Sequence, residues 1–121
     1  MSTSAGTRYS ECLLGTWLAE RLAVDPLKIE AMRRAGELIA VREPGSGDWR
    51  YPAWQFDSWK PRRSVVRVVA AAREAGVDES RLYDLMTQPL GLTGRSRRLA
   101  DLLAEGRDDE VVEAVRSAGA G

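Results

Sequence analysis

The 121-residue chain contains no histidine and a single cysteine, Cys12. Without imidazole, serine–histidine and cysteine–histidine catalysis are excluded within the chain, and a zinc site of the usual ligands is close to excluded. One thiol cannot form an internal disulfide, which fits a reducing cytoplasm. Net charge is lacking too. Eighteen basic residues balance 18 acidic ones, whereas domains that hold nucleic acid are often strongly basic. Lysine is nearly missing, at positions 28 and 60 only, so the positive charge is almost all arginine. No window approaches the roughly 20 apolar residues of a membrane span, and the first residues lack the basic-then-apolar order of a secretion signal. No grouping of acid, base and nucleophile stands out. The expectation is a cytoplasmic, non-enzymatic protein without metal, cofactor or membrane partner.

An apolar fraction of 44% and a charged fraction of 30% describe a globular chain with a well-solvated surface. This length suits one domain, or two small halves sharing a core. Arginines gather as Arg33-Arg34, Arg62-Arg63 and Arg95-Ser96-Arg97-Arg98, and acids as Asp108-Asp109-Glu110. Arginine suits bidentate contact with phosphate and guanine; salt-bridged surface is the alternative. Residues 1–9 are small and polar and read as a disordered tail, whose Ser2, Thr3, Ser4 and Thr7 are candidate phosphate acceptors.

The most informative stretch runs from Thr16 to Arg42. Thr16 to Leu22 reads as a short helix with Leu18, Ala19 and Leu22 facing inward, and Cys12, Leu13 and Leu14 as a lead-in packed onto it. A second helix covers Pro26 to Ala35. Asp25 is its N-cap, Pro26 stands where a missing N–H costs nothing, and Gly36 supplies the left-handed residue that closes it. Ile29 and Met32 must be buried, leaving Leu27, Lys28, Glu30, Ala31 and Arg34 exposed or side-facing. Leu38 to Arg42 is β-leaning, Glu43 to Asp48 is a turn, and Trp49 to Tyr51 is a second short strand.

The order of small and apolar residues around Ala19, Val24, Ile29 and Met32 resembles the helix-turn-helix motif, which lays its second helix in the major groove of DNA. A hairpin directly after it is a wing. Ala23 departs from the pattern, which favours glycine between the helices; alanine at positive φ costs up to ~1 kcal/mol. On this resemblance the candidate DNA contacts are Lys28, Arg33, Arg34, Arg42 and Arg50, the last two on the arms of the wing. Arg33 and Arg34 have a plainer use at the negative end of the helix dipole. Trp49 and Tyr51 are expected to pack the core as well. For Trp17, Trp49, Trp54 and Trp59, with Phe56, a core junction is expected over a base-stacking surface.

From Arg62 onward the pattern is helical. Val65, Val66, Val69 and Ala72 share one face, closed by Gly76. Asp78 caps a helix with Leu82, Leu85 and Met86 inward. Leu90 to Gly94 is a loop, then Leu99, Leu102 and Leu103 mark a helix, and Asp108 caps the last one with Val111, Val112 and Val115 inward. The expected fold is mainly α with a small β-hairpin wing: a winged helix-turn-helix over 10–60 and a helical domain of about four short helices over 61–121.

Tyr51-Pro-Ala-Trp-Gln-Phe56, the Leu92-Thr-Gly-Arg95 loop, the Leu99-Ala-Asp-Leu-Leu-Ala-Glu-Gly106 helix and Glu110-Val-Val-Glu-Ala-Val115 resemble the C-terminal region of Xre/MbcA/ParS-type antitoxins. The same layout is similar to small actinobacterial winged-helix DNA-binding proteins, some of them kinase substrates. The antitoxin resemblance implies a toxin partner, with Arg95, Arg97 and Arg98 as partner-binding residues. Arg98 and Thr93 depart from that family's proline and glycine, and Gln88-Pro-Leu-Gly91 from its Thr-Pro-Asn-Pro. The function expected first is sequence-specific binding of double-stranded DNA in bacterial or phage transcriptional control, nucleoid-associated, with dimerisation through the helical half. The alternatives are a toxin-neutralising antitoxin and an excisionase-like architectural protein.

Overall fold

The structure is a computed structural model that describes residues 12–88 and 98–120. It is mainly helical with a small antiparallel sheet. In order it runs β1 (Cys12–Leu14), α1 (Gly15–Leu22), α2 (Pro26–Arg34), β2 (Val41–Arg42), β3 (Trp49–Pro52), a 3₁₀ turn (Ala53–Gln55), β4 (Phe56–Asp57), β5 (Lys60–Pro61), α3 (Ser64–Ala75), α4 (Glu79–Thr87), α5 (Leu99–Ala104) and α6 (Asp108–Ala120). The tail over 1–9, the Leu90 to Gly94 loop, Arg95 and Arg97 lie outside the described residues. No helix among the described residues is long and apolar enough to cross a membrane.

Helix α2 begins and ends on its capping residues. The Asp25 carboxylate accepts the Leu27 N–H at 2.8 Å, occupying one of the donors that a first turn leaves free. At the other end Gly36 takes φ +82°, and the Glu37 N–H turns back to the Met32 carbonyl at 2.9 Å, a closure that needs the left-handed residue. Between α1 and α2 the chain turns on Ala23 at φ 59°, ψ 44°. The alanine does stand where glycine carries no steric penalty.

Strand β3 is the middle of a three-stranded sheet ordered β1-β3-β2. Leu13 pairs with Tyr51, and Arg42 with Trp49. The lead-in before α1 is therefore a strand. Three residues carry no alternation to read, and their partner lies far along the chain. The β-leaning stretch from Leu38 forms strand only at Val41 and Arg42. Leu38, Ile39 and Ala40 are buried but carry no strand partner, and Gln55 replaces one. Its amide accepts the Ile39 N–H at 2.6 Å and donates to the carbonyls of Ile39 at 2.7 Å and Pro52 at 3.0 Å. A fully buried glutamine is tolerated because its polar atoms are bonded.

The second hairpin, β4–β5, turns on Ser58 and Trp59 at φ 51° and 63°. Two central residues at positive φ give a two-residue turn whose twist suits the strands, usually with asparagine and glycine.

Two apolar clusters hold the fold. Leu18, Ala19, Ile29, Leu38, Tyr51 and Phe56 centre the first; Val65, Val68, Met86, Leu103, Val111 and Val115 lie in the second. Each Leu, Ile, Val, Met or Phe side chain among them contributes ~1.5–3 kcal/mol when buried. The stretch 39–41 ties the clusters together, since Ile39 enters the second and Val41 packs on Tyr83 of α4. On α3 the inward face is Val65, Val68, Val69 and Ala72, while Val66 is 48% exposed. Positions 65, 68, 69 and 72 follow the helical stripe and 66 falls off it. Helices α3 and α6 cross closely at Gly119, where a Cβ would overlap the Cβ and carbonyl of Ala75.

Candidate functional site

Ile29 is buried in α2 and Met32 packs half-buried beside it. With those two positions inward, Leu27, Lys28, Ala31 and Arg34 are all exposed, and they form one outward stripe at helical spacing. Beside α2 stands the β2–β3 hairpin. Between the two, and against the first turn of α1, lies a groove of about 540 Å³ whose lining includes Thr16, Glu30, Arg33, Arg42, Asp48 and Trp49.

Glu43 organises the turn of the hairpin. Its N–H donates to the Asp48 carbonyl at 2.8 Å and its carbonyl accepts the Gly47 N–H at 2.9 Å. Its carboxylate accepts from Ser46 Oγ at 3.3 Å and from Arg50 Nε and Nη2 at 2.9 and 2.6 Å. Gly45 and Gly47 take φ +93° and +76°, and the space where a Cβ would stand is open at both. The tip can come close to a neighbouring surface.

The five sequence-predicted cations separate into three groups. Arg50 is committed to Glu43 and braces the hairpin. Arg34 pairs with Glu30 at 3.1 Å, one turn back along α2, an exposed pair of about 0.3–0.5 kcal/mol. Arg33 and Arg42 converge on one indole: their guanidinium carbons lie 4.1 and 4.8 Å from the Trp49 ring centroid. Guanidinium over an aromatic face is attractive and leaves the positive charge in place. Arg33 Nε is buried with no hydrogen-bond partner, and the rest of its guanidinium meets the Tyr51 hydroxyl. Burial pushes the pKa of that hydroxyl up and the Arg33 bond pulls part of the way back, so Tyr51 stays a neutral phenol. Lys28 stands exposed on the outward stripe.

The tryptophans divide as well. Trp49 and Trp54 are half-buried at the junction, but Trp17 and Trp59 are 40% and 37% exposed. That corrects the expectation of a core role for all four. These two meet edge to face with centroids 5.2 Å apart, and the Arg21 guanidinium lies about 5 Å from both rings, at 4.9 and 5.1 Å. The edge-to-face geometry offers no parallel platform for stacked bases; it pins the β4–β5 hairpin to α1.

Of the partner-binding candidates, Arg98 starts α5, where its backbone N–H donates to the Asp101 carboxylate at 2.9 Å and its guanidinium lies 3.6 Å from the same group. Arg73 of α3 was not legible as a site residue in the sequence. Its guanidinium donates to the carbonyls of Arg33 and Arg34 at 3.4 and 3.2 Å at the C-terminal end of α2, and the Arg33 carbonyl also accepts the Gly36 N–H at 3.1 Å. An exposed arginine on a helix carries no local signal for such a contact. Among the described residues no three His, Cys, Asp or Glu side chains are grouped to hold a metal ion.

No protein-family profile and no curated protein sequence matches the chain. Its fold is similar to that in the NMR structure of Rv2175c, with a TM-score of 0.76 and 21% identity, over 89% of this chain and 80% of that one. Identity at that level bears on the fold alone.

Proposed function

We infer that the chain is a sequence-specific double-stranded DNA-binding protein of the winged helix-turn-helix kind, acting in transcriptional control. In this reading α1 and α2 are the helix-turn-helix, α2 enters the major groove, and β2–β3 is the wing beside the flanking backbone. The observation that carries it is the groove between α2 and the hairpin, where Arg33 and Arg42 rest on Trp49 without a carboxylate partner among the described residues. Two guanidiniums held by an indole keep their charge for an anion, and a polyanionic backbone supplies one. Glu30 in the same groove is answered by Arg34.

A single small winged helix has limited contact area, so two copies paired through the helical half, at two half-sites, are part of the proposal, as is a place on the nucleoid. The antitoxin alternative rests on sequence resemblance, and the excisionase-like one on the small winged form alone.

The test is anisotropy titration of a labelled duplex across a salt series. Log affinity falls with log salt by about 0.9 for each phosphate neutralised. The double variant Arg33→Gln/Arg42→Gln should bind weakly and lower that slope by about 1–2. Arg50→Gln should leave the slope near wild type, because Arg50 already answers Glu43. Wild-type slopes in the double variant would rule out this site.

A further inference from the structure

The outward face of α2 has few polar readers. Leu27 is 71% exposed, the most exposed of the large apolar side chains in the described residues. It stands in the first turn, its backbone fixed by the 2.8 Å bond from its N–H to Asp25. Ala31, four residues on and exposed, lies on the same face one turn further. Two carboxylates lie close by and both are engaged: Asp25 accepts the Leu27 N–H, and Glu30 is held by Arg34 at 3.1 Å. Lys28 and Arg34 flank this apolar strip, and Arg33 and Arg42 lie in the groove behind it. An apolar strip rimmed by cations is complementary to a surface with apolar points set in a polyanion. In duplex DNA the major groove offers one such point, the thymine 5-methyl group. The first turn of a major-groove helix is also where base edges are met.

We propose that Leu27, with Ala31 behind it, reads thymine methyl groups, so that the DNA site contains A·T pairs opposite the N-terminal half of α2. The inference rests on the DNA-binding reading and adds its specificity determinant. The contact is apolar and carries no charge, so it alters affinity for particular bases without altering salt dependence.

DNA duplexes of alternating deoxyadenosine and thymidine, and of alternating deoxyadenosine and deoxyuridine, differ in the methyl alone, and every register of the first presents methyls in the major groove. Wild type should prefer the A·T duplex about fourfold for each methyl covered, the equivalent of ~0.8 kcal/mol for one buried carbon at 1.4 kcal/mol per tenfold. Leu27→Ala should bind the A·T duplex more weakly, lose most of the preference, and keep the wild-type salt slope. Its circular dichroism should be unchanged, since Leu27 is not part of the core. Equal binding of wild type to both duplexes, or an undiminished preference in Leu27→Ala, overturns the inference and leaves DNA binding standing. Absence of binding to either duplex at low salt overturns the DNA-binding reading, and the inference with it.

Discussion

Gln55 is 0% exposed, and replacing it tests how the fold places the candidate site. In Gln55→Ala, the N–H and carbonyl of Ile39 and the carbonyl of Pro52 lose bonds of 2.6, 2.7 and 3.0 Å. A buried polar group left unpaired costs about 1–3 kcal/mol. Three such groups, with water re-entering part of the vacated volume, give an expected loss of about 3–5 kcal/mol. That is a fifth or more of the roughly 5–15 kcal/mol by which domains are stable. At this chain length it corresponds to a fall in Tm of at least about 10 °C. Urea denaturation followed by far-UV circular dichroism gives the free energy, and a thermal melt gives Tm. Gln55→Glu makes the argument sharper. As a neutral acid the side chain keeps one acceptor and one donor; as a carboxylate it loses both donors and brings a charge into an apolar interior. Its folded pKa therefore lies above the unfolded value of about 4.3. The variant is most stable below that value and loses stability as pH rises through the folded pKa. Gln55→Ala within about 1 kcal/mol of wild type, or Gln55→Glu tracking wild type from pH 4 to 8, would refute this account.

Other substitutions test the backbone and the close contacts. Ala23→Gly should stabilise the protein by up to about 1 kcal/mol, because position 23 is held at φ 59°; urea midpoints check it. Ser58→Asn, at φ 51°, should raise the midpoint by a few tenths of a kcal/mol, since asparagine tolerates that conformation better. Gly119→Ala should destabilise by about 1–3 kcal/mol, although alanine is ordinarily the better helix former, because its Cβ meets Ala75. A midpoint raised by that change would show that α3 and α6 have room to part.

The features closed within a few residues were legible in the sequence. Asp25, Pro26 and Gly36 bound α2 because capping is a local matter, and Leu18, Ile29, Leu82, Met86 and Val115 followed from helical spacing. Positions set by distant partners were not. Nothing near Cys12 to Leu14 says that β3 will accept it as a strand. Gln55 reads as an ordinary polar residue until Ile39 is placed beside it. The five candidate cations look alike in sequence, and only their neighbours separate Arg50, answered by Glu43, from Arg33 and Arg42, which share Trp49.

The sheet has a bearing on assembly. Exposed strand edges are templates on which other chains can pair, and proteins blunt them by keeping edge strands short. Strand β2, an outer strand, has two residues, and the Glu43-centred turn closes the backbone immediately after it. Too few donors and acceptors remain along that side to hold a strand from another molecule. Two copies cannot therefore join by continuing the sheet past β2, and the hairpin stays a finger with nothing added to its flank. On this flank, any contact between copies has to be made by side chains.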